Sequence, residues 1–169
     1  MTRISLFAFA TALVLAVAPA PVQSQGANVA FGGLKHDSRL PVELTADSLA
    51  IDQAAGTATA TGNVLAGQGG LRIKTETLLV EYETRDGKVT GQVTRMTASG
   101  NVTLSNGGEA AEAQKAVYSV ADGMVRMTGD VLLTQGQNAL SGEQLVINLN
   151  TGQAQIKGRV RTIFQPAAE

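Results

Sequence analysis

Apolar side chains recur at every second position through most of this chain, in runs broken by glycine, and the same run returns four times. The clearest marker is a glycine corner, Gly62-Asn63-Val64, echoed as Gly100-Asn101-Val102, Gly129-Asp130-Val131 and Gly158-Arg159-Val160. Tracing back from each glycine to the start of its apolar alternation gives Ala46, Thr75, Ala113 and Gly142, spaced 29, 38 and 29 residues apart. The long gap contains Glu83 to Gly91, which reads as a nine-residue polar turn extension; without it the period is uniform. A repeat of this length predicts a stacked architecture, because each unit leaves an apolar face that only its neighbour covers.

Aligned on that period, the units form apolar columns. The first two are Leu49, Leu78, Ala116 and Leu145, then Ile51, Val80, Tyr118 and Ile147. Two more are Ala58, Met96, Val125 and Ala154, then Ala60, Ala98, Met127 and Ile156. After the corner come Val64, Val102, Val131 and Val160, with Leu133 continuing the third unit. Columns two residues apart, with Thr, Ser, Gln, Asn or charged residues between them, are the signature of strands with one dry face and one wet face.

The pattern predicts an all-β fold of antiparallel strands, each of four to eight residues, in a sheet folded over so that its apolar faces meet. Strand turns are expected at Asp52 to Gly56, Gly67 to Gly70, Asp122-Gly123 and Asn150-Thr151-Gly152. Glycine at each corner fits a sharp bend where φ is positive. The first and last strands of such a stack have unpaired N–H and C=O groups, which either dock a partner strand or are protected by Pro41, Pro166 and charged side chains.

Composition changes the picture at the N-terminus. Arg3 followed by the apolar stretch Ile4 to Ala18 and small residues at Ala18-Pro19-Ala20 or Val22-Gln23-Ser24 reads as an export signal over residues 1–24. That run is shorter than the roughly twenty apolar residues a membrane span needs. Residues 25–40 have no period and read as a flexible N-terminal tail, with the single histidine, His36, as a solvated residue within it. The ordered domain is expected over residues 41–166. No cysteine is present, which excludes disulfides and a lipid-modified cysteine. With Arg3 removed, the thirteen basic residues become twelve against fourteen acidic, so a field-driven nucleic-acid binder is not expected.

The run Pro41-Val42-Glu43-Leu44-Thr45-Ala46-Asp47-Ser48-Leu49 through Thr61-Gly62-Asn63-Val64 carries a family resemblance. So do Thr128-Gly129-Asp130-Val131, Ser141-Gly142-Glu143 and the close at Arg159-Val160-Arg161-Thr162-Ile163-Phe164-Gln165-Pro166. Together, over residues 41 to 166, they resemble the OstA-like family of periplasmic lipopolysaccharide-transport proteins. The resemblance implies a folded-over β jelly roll, a "β-taco", that binds lipid A acyl chains of lipopolysaccharide between its walls. It further implies head-to-tail self-association, linking an LptC-like inner-membrane protein to an LptD-like outer-membrane protein. Two departures stand out: the short polar insertion in the second unit, and the lack of a charged tail after Pro166.

On this reading the lipid groove is lined by Leu49, Ile51, Ala60, Val64, Leu78, Val80, Met96 and Val102, and by Tyr118, Val125, Met127, Val131, Leu133, Leu145, Ile147 and Ile156. By residue type alone the same columns favour a closed core, and it is the resemblance that turns the reading to a groove. Lys157, Arg159 and Arg161 alternate near the end of the chain and are candidate contacts for phosphate or a partner edge; the plain alternative is a charged edge that discourages aggregation. Asp47, Glu76, Gln114 and Glu143 recur at one position of the repeat and are expected to satisfy local backbone donors at the bends. Nothing in the sequence pairs a nucleophile with a base, clusters metal ligands or builds a phosphate loop, so neither an enzyme nor a resident cofactor or metal is expected. Two other readings remain: a strand-repeat module that assembles without lipid, and an LptC-like inner-membrane component that keeps its leader.

Overall fold

The computed structural model describes residues 27–30 and 40–163. Its strands are β1 (Ala27–Ala30), β2 (Val42–Thr45), β3 (Ser48–Asp52), β4 (Thr57–Gln68), β5 (Leu71–Arg85) and β6 (Lys88–Asn106). They continue with β7 (Glu109–Ser119), β8 (Met124–Gln135), β9 (Asn138–Asn148), β10 (Gln153–Lys157) and β11 (Arg161–Ile163). The fold is all-β and antiparallel, in the order β1-β10-β9-β8-β7-β6-β5-β4-β2, with β3 also on β4 and β11 also on β9. The readings for the export signal, His36 and Pro166 lie outside the described residues.

β4 through β9 are longer than the four to eight residues expected, because each runs unbroken through its corner and contributes to two walls. The Thr57–Thr61 half of β4 pairs β3 and the Thr77–Glu81 part of β5, whereas the Val64–Gln68 half pairs β2 and the Leu71–Thr75 part. Every later strand divides the same way, so the first wall runs from β3 to β10 and the second from β2 to β11. The register shifts that mark the divide fall at Thr61/Val64, Ser99/Val102 and Thr128/Val131. At each, two residues on one strand face one on its partner, which bends the strand and increases its twist.

The corner residues show why the bend needs this sequence. Gly62, Gly100, Gly129 and Gly158 have φ between +78° and +85°, and the residue after each, Asn63, Asn101, Asp130 or Arg159, also has positive φ. Two consecutive left-handed residues reverse the pleat, and glycine followed by Asn or Asp tolerates this best. The recurring Asp47, Glu76, Gln114 and Glu143 lie directly over these glycines, with Gln114 Cβ only 2.8 Å from where a Gly129 Cβ would sit. For Asp47, Glu76 and Glu143 the partners are side chains, not the backbone donors the sequence reading expected. Asn63 Nδ2 donates to Asp47 Oδ2 at 2.8 Å, Asn101 Nδ2 to Glu76 Oε1 at 2.6 Å, and Arg159 lies 3.8 Å from Glu143. Next to Glu76, the buried Thr75 hydroxyl donates to Ser99 O at 2.8 Å, so this polar group is satisfied within the apolar interior.

The Glu83–Gly91 insertion lengthens the hairpin, as its reading as a turn extension implied: Thr84 pairs Val89 and Arg85 pairs Lys88, so β5 and β6 extend past the rim. Asp86 and Gly87, at φ of 51° and 73°, close this hairpin in the left-handed conformation that matches strand twist. Glu83 accepts from Arg85 Nη2 at 2.8 Å and from Thr90 Oγ1 at 3.1 Å, and the Arg85 hydrogen bond holds its carboxyl below the usual range. One further expectation is corrected, for residues 27–30, read as part of a flexible tail. They form β1, paired along β10 from Ala27↔Ile156 to Ala30↔Gln153.

Gly100→Ala is expected to lower stability by about 2–3 kcal/mol, from the left-handed backbone and the crowded Glu76 side chain together. Gly87→Ala has the same backbone strain but nothing within 4 Å of the new methyl, and should cost about 1 kcal/mol. Urea midpoints of the two variants measure the difference.

Candidate functional site

The two walls face each other across an interior built from the columns. On the first wall it is lined by Ala60, Leu78, Val80, Val125, Met127, Leu145, Ile147 and Ile156, all buried, with Met96 and Tyr118 half-buried against them. The second wall contributes Val64, Val102, Val131 and Leu133, also buried. The columns therefore come together as the period demanded. Leu49 and Ile51 do not share that burial: they are 55% and 67% exposed.

The reason is their place in the stack. Leu49 is paired to Ala60 and Ile51 to Ala58, so both lie on the inner side of the first wall, but on its end strand. Facing them on the second wall, Leu44 is opposite Ala66 and Val42 opposite Gln68, and these too are exposed, at 39% and 47%. At the β2/β3 end the inner faces of both walls are thus uncovered. At the β10 end the inner-face residues Ala154 and Ile156 are 4% and 0% exposed.

Side-chain size follows the same axis. Of the largest fully buried residues, Met127, Leu133, Leu145, Ile147, Leu149 and Ile156 all lie on or beside β8, β9 and β10. On β4 most of the buried positions are alanine, Ala58, Ala60 and Ala66, with the larger Leu78 and Val80 next to them on β5. The interior is closed by bulky aliphatic contacts at one end and becomes alanine-lined and open at the other. The turns form two rows opposite the corner. Leu149 N donates to Gly123 O at 2.8 Å along the first rim, and Gly136 N to Gly108 O at 3.4 Å along the second. Each of these bonds stays within its own wall, leaving the apolar contacts to hold the rims together.

A cleft of about 650 Å³ opens at the rim of the wide end, between the β3–β4 turn and the protruding β5–β6 hairpin. Its lining combines the apolar Ile51, Ala58, Tyr82 and Val89 with the charged Asp52 and Lys88. Sequence reasoning missed Val89 in this cleft, hidden in what reads as a polar insertion, and on the uncovered inner face of the second wall it missed Val42 and Leu44. Leu104 and Leu140 complete the second wall's inner face. The signal for them was the two-residue alternation continuing past the corner valines.

The cationic residues are dispersed. Lys157, Arg159 and Arg161 do not form one row, because the last corner falls between them. Lys157 ends β10 in the first wall, Arg159 is the left-handed corner residue, and Arg161 opens β11 in the second wall. Arg72 is engaged locally, donating to Gly69 O and Leu71 O. Among the described residues no group of His, Cys, Asp or Glu is placed to hold a metal ion, and no helix is long and apolar enough to cross a membrane. Burial raises the Tyr118 phenol above its ordinary pKa of 10.0.

Three comparisons bear on this geometry. A family profile described as "LptA/(LptD N-terminal domain) LPS transport protein" matches residues 43–153. An uncharacterized protein of Rhizobium meliloti (strain 1021) is 28% identical over 150 residues, covering 85% of this chain and 81% of that one. The crystal structure of LptH, the LptA-homologous periplasmic component of the lipopolysaccharide transport device of Pseudomonas aeruginosa, superimposes with a TM-score of 0.68. That match has 18% identity and spans 77% of this chain and 99% of LptH.

Leu145→Ala, at a fully buried position, should destabilise the fold by about 2–5 kcal/mol, whereas Ile51→Ala should change it by less than about 0.5 kcal/mol. Denaturant unfolding of each variant decides whether the interior is packed at one end and open at the other. A second expectation concerns pH. The phenol of Tyr118 binds its proton more tightly folded than unfolded, so its contribution is complete below pH 10 and is lost as pH rises through the raised folded value. Tyr118→Phe should remove that component of alkaline destabilisation in melting curves taken from pH 9 to 12.

Proposed function

The chain belongs to the LptA/(LptD N-terminal domain) family of lipopolysaccharide-transport proteins, and on that premise we propose that it carries lipopolysaccharide through the periplasm, with acyl chains entering at the β2/β3 end. The observation that carries this reading is the uncovered inner face there, Leu49 and Ile51 above all, leading into an alanine-lined interior. The exported domain spans residues 41–166 after loss of a leader at residues 1–24. It receives lipid from an LptC-like inner-membrane protein and passes it toward an LptD-like outer-membrane protein, with copies joined end to end.

Physical chemistry supports a carrier of this form. Ten buried methylenes are worth on the order of 8 kcal/mol before ordering costs, enough to hold a lipid. Entry need not expose apolar surface to water, because wall-to-wall contacts are replaced by wall-to-chain contacts of the same kind. The bent strands join the walls along the corner column, so rims held by apolar contacts can part. Leu49, Ile51, Ala60, Val64, Leu78 and Val80 would form the first part of the path, with Met96, Val102 and Tyr118 next. Val125, Met127, Val131, Leu133, Leu145, Ile147 and Ile156 would be reached only when the walls separate. Lys157, Arg159 and Arg161, spread over both walls, would meet phosphates or a neighbouring edge singly, not as a clamp. Such transfer requires no bond-making step by the chain, consistent with a carrier and not an enzyme.

The tight packing around Ile147 and Ile156 favours a second reading, in which the same module joins proteins end to end and carries no lipid. Photo-crosslinking residues at Ile51, Tyr118 and Ile147 separate the two. The carrier should capture lipopolysaccharide most strongly at Ile51, less at Tyr118 and least at Ile147. Folded protein that captures none at any of the three sites, and shows no lipid in native mass spectra, would leave only the structural module.

A further inference from the structure

The strand β1 lies where a second copy's β3 would lie if two copies stacked end to end. In the first wall the strands alternate in direction from β3, which runs from corner to rim, to β10, which runs from rim to corner. A strand added beyond β10 in antiparallel fashion must therefore run from corner to rim, as β3 does. β1 does so: Ala27 pairs Ile156 near the corner and Ala30 pairs Gln153 at the rim. The second wall matches this, since β11 runs from corner to rim and β2 from rim to corner. The β10/β11 end thus has the polarity to accept the β2/β3 end of another copy. Its β10 half is already taken by the chain's own N-terminal strand.

We propose that β1 is a displaceable cap: by occupying β10 in its own chain, it excludes the β3 edge of an incoming second copy, so that end-to-end joining requires strand exchange. This rests on the end-to-end reading above and adds its regulation. The occupant that displaces β1 is the β2/β3 end of another copy, whose exposed Leu49 and Ile51 would continue the inner face beyond Ala154 and Ile156. β1 pairs only four residues of the β10 edge, from Ala27↔Ile156 to Ala30↔Gln153, so few ladder bonds oppose its exchange for a five-residue β3.

The chain has no cysteine, so a single engineered pair reports the contact directly. In the mature chain, Asn28→Cys with Gln155→Cys, which are opposite each other in the register, should form a disulfide within one chain under oxidation. The oxidised protein should self-associate at least tenfold more weakly than the reduced form in sedimentation equilibrium. Val29→Pro, which removes an N–H from the capping strand, should self-associate at least tenfold more strongly than the parent. Failure of the disulfide to form within one chain overturns the cap. So does equal self-association of locked, parent and Val29→Pro proteins, and in that case end-to-end joining itself survives. If a locked protein and Val29→Pro both stay monomeric at every concentration, the cap is overturned as a gate and the end-to-end reading falls with it.

Discussion

A sheet with one apolar face has to cover that face, and in this protein each long strand does so by bending back over its own wall. The bend depends on two consecutive left-handed residues, a conformation that costs most side chains but not glycine and costs Asn or Asp little. At each of the four corners a glycine provides it beneath a side chain from the column of Asp47, Glu76, Gln114 and Glu143. Where the following residue is Asn, its amide closes the corner by donating to the carboxylate overhead. The two walls, the interior between them and the open rim opposite all follow from repeating this corner in register.

Because the units stack along one axis, the two ends cannot be alike. Each interior unit is covered by the next, but among the described strands β2 and β3 pair on one side only, and Val42, Leu44, Leu49 and Ile51 are left exposed. At the far end bulky residues fill the interior and β1 covers β10. The contrast between an uncovered end beside the alanines of β4 and a filled end at β8 to β10 gives direction to a fold whose repeats are otherwise equivalent.

The β5–β6 hairpin shows how an irregularity in a repeat acquires a role. Nine extra residues extend two paired strands beyond the rim, held by Arg85 and Thr90 on Glu83, and place Val89 over the open end. A cleft forms there because the regular rim is too short to reach that far.

Period and corner glycines were enough to establish the all-β class, the two walls and most of the interior, because alternation assigns each side chain to a face whatever the strand later pairs with. The identity of the columns was legible for the same reason: Leu78, Met127 and Ile147 are apolar where the period requires it. Three things depended on contacts between residues distant in sequence. Which columns are closed and which are open was decided by position in the stack, which leaves Ile51 bare and Ile147 sealed although they share a column. The scatter of Lys157, Arg159 and Arg161 was decided by where the last corner falls. The pairing of Ala27–Ala30 with β10 could not be read from a four-residue segment without period, since its partner lies more than a hundred residues away and only the assembled edge defines the site.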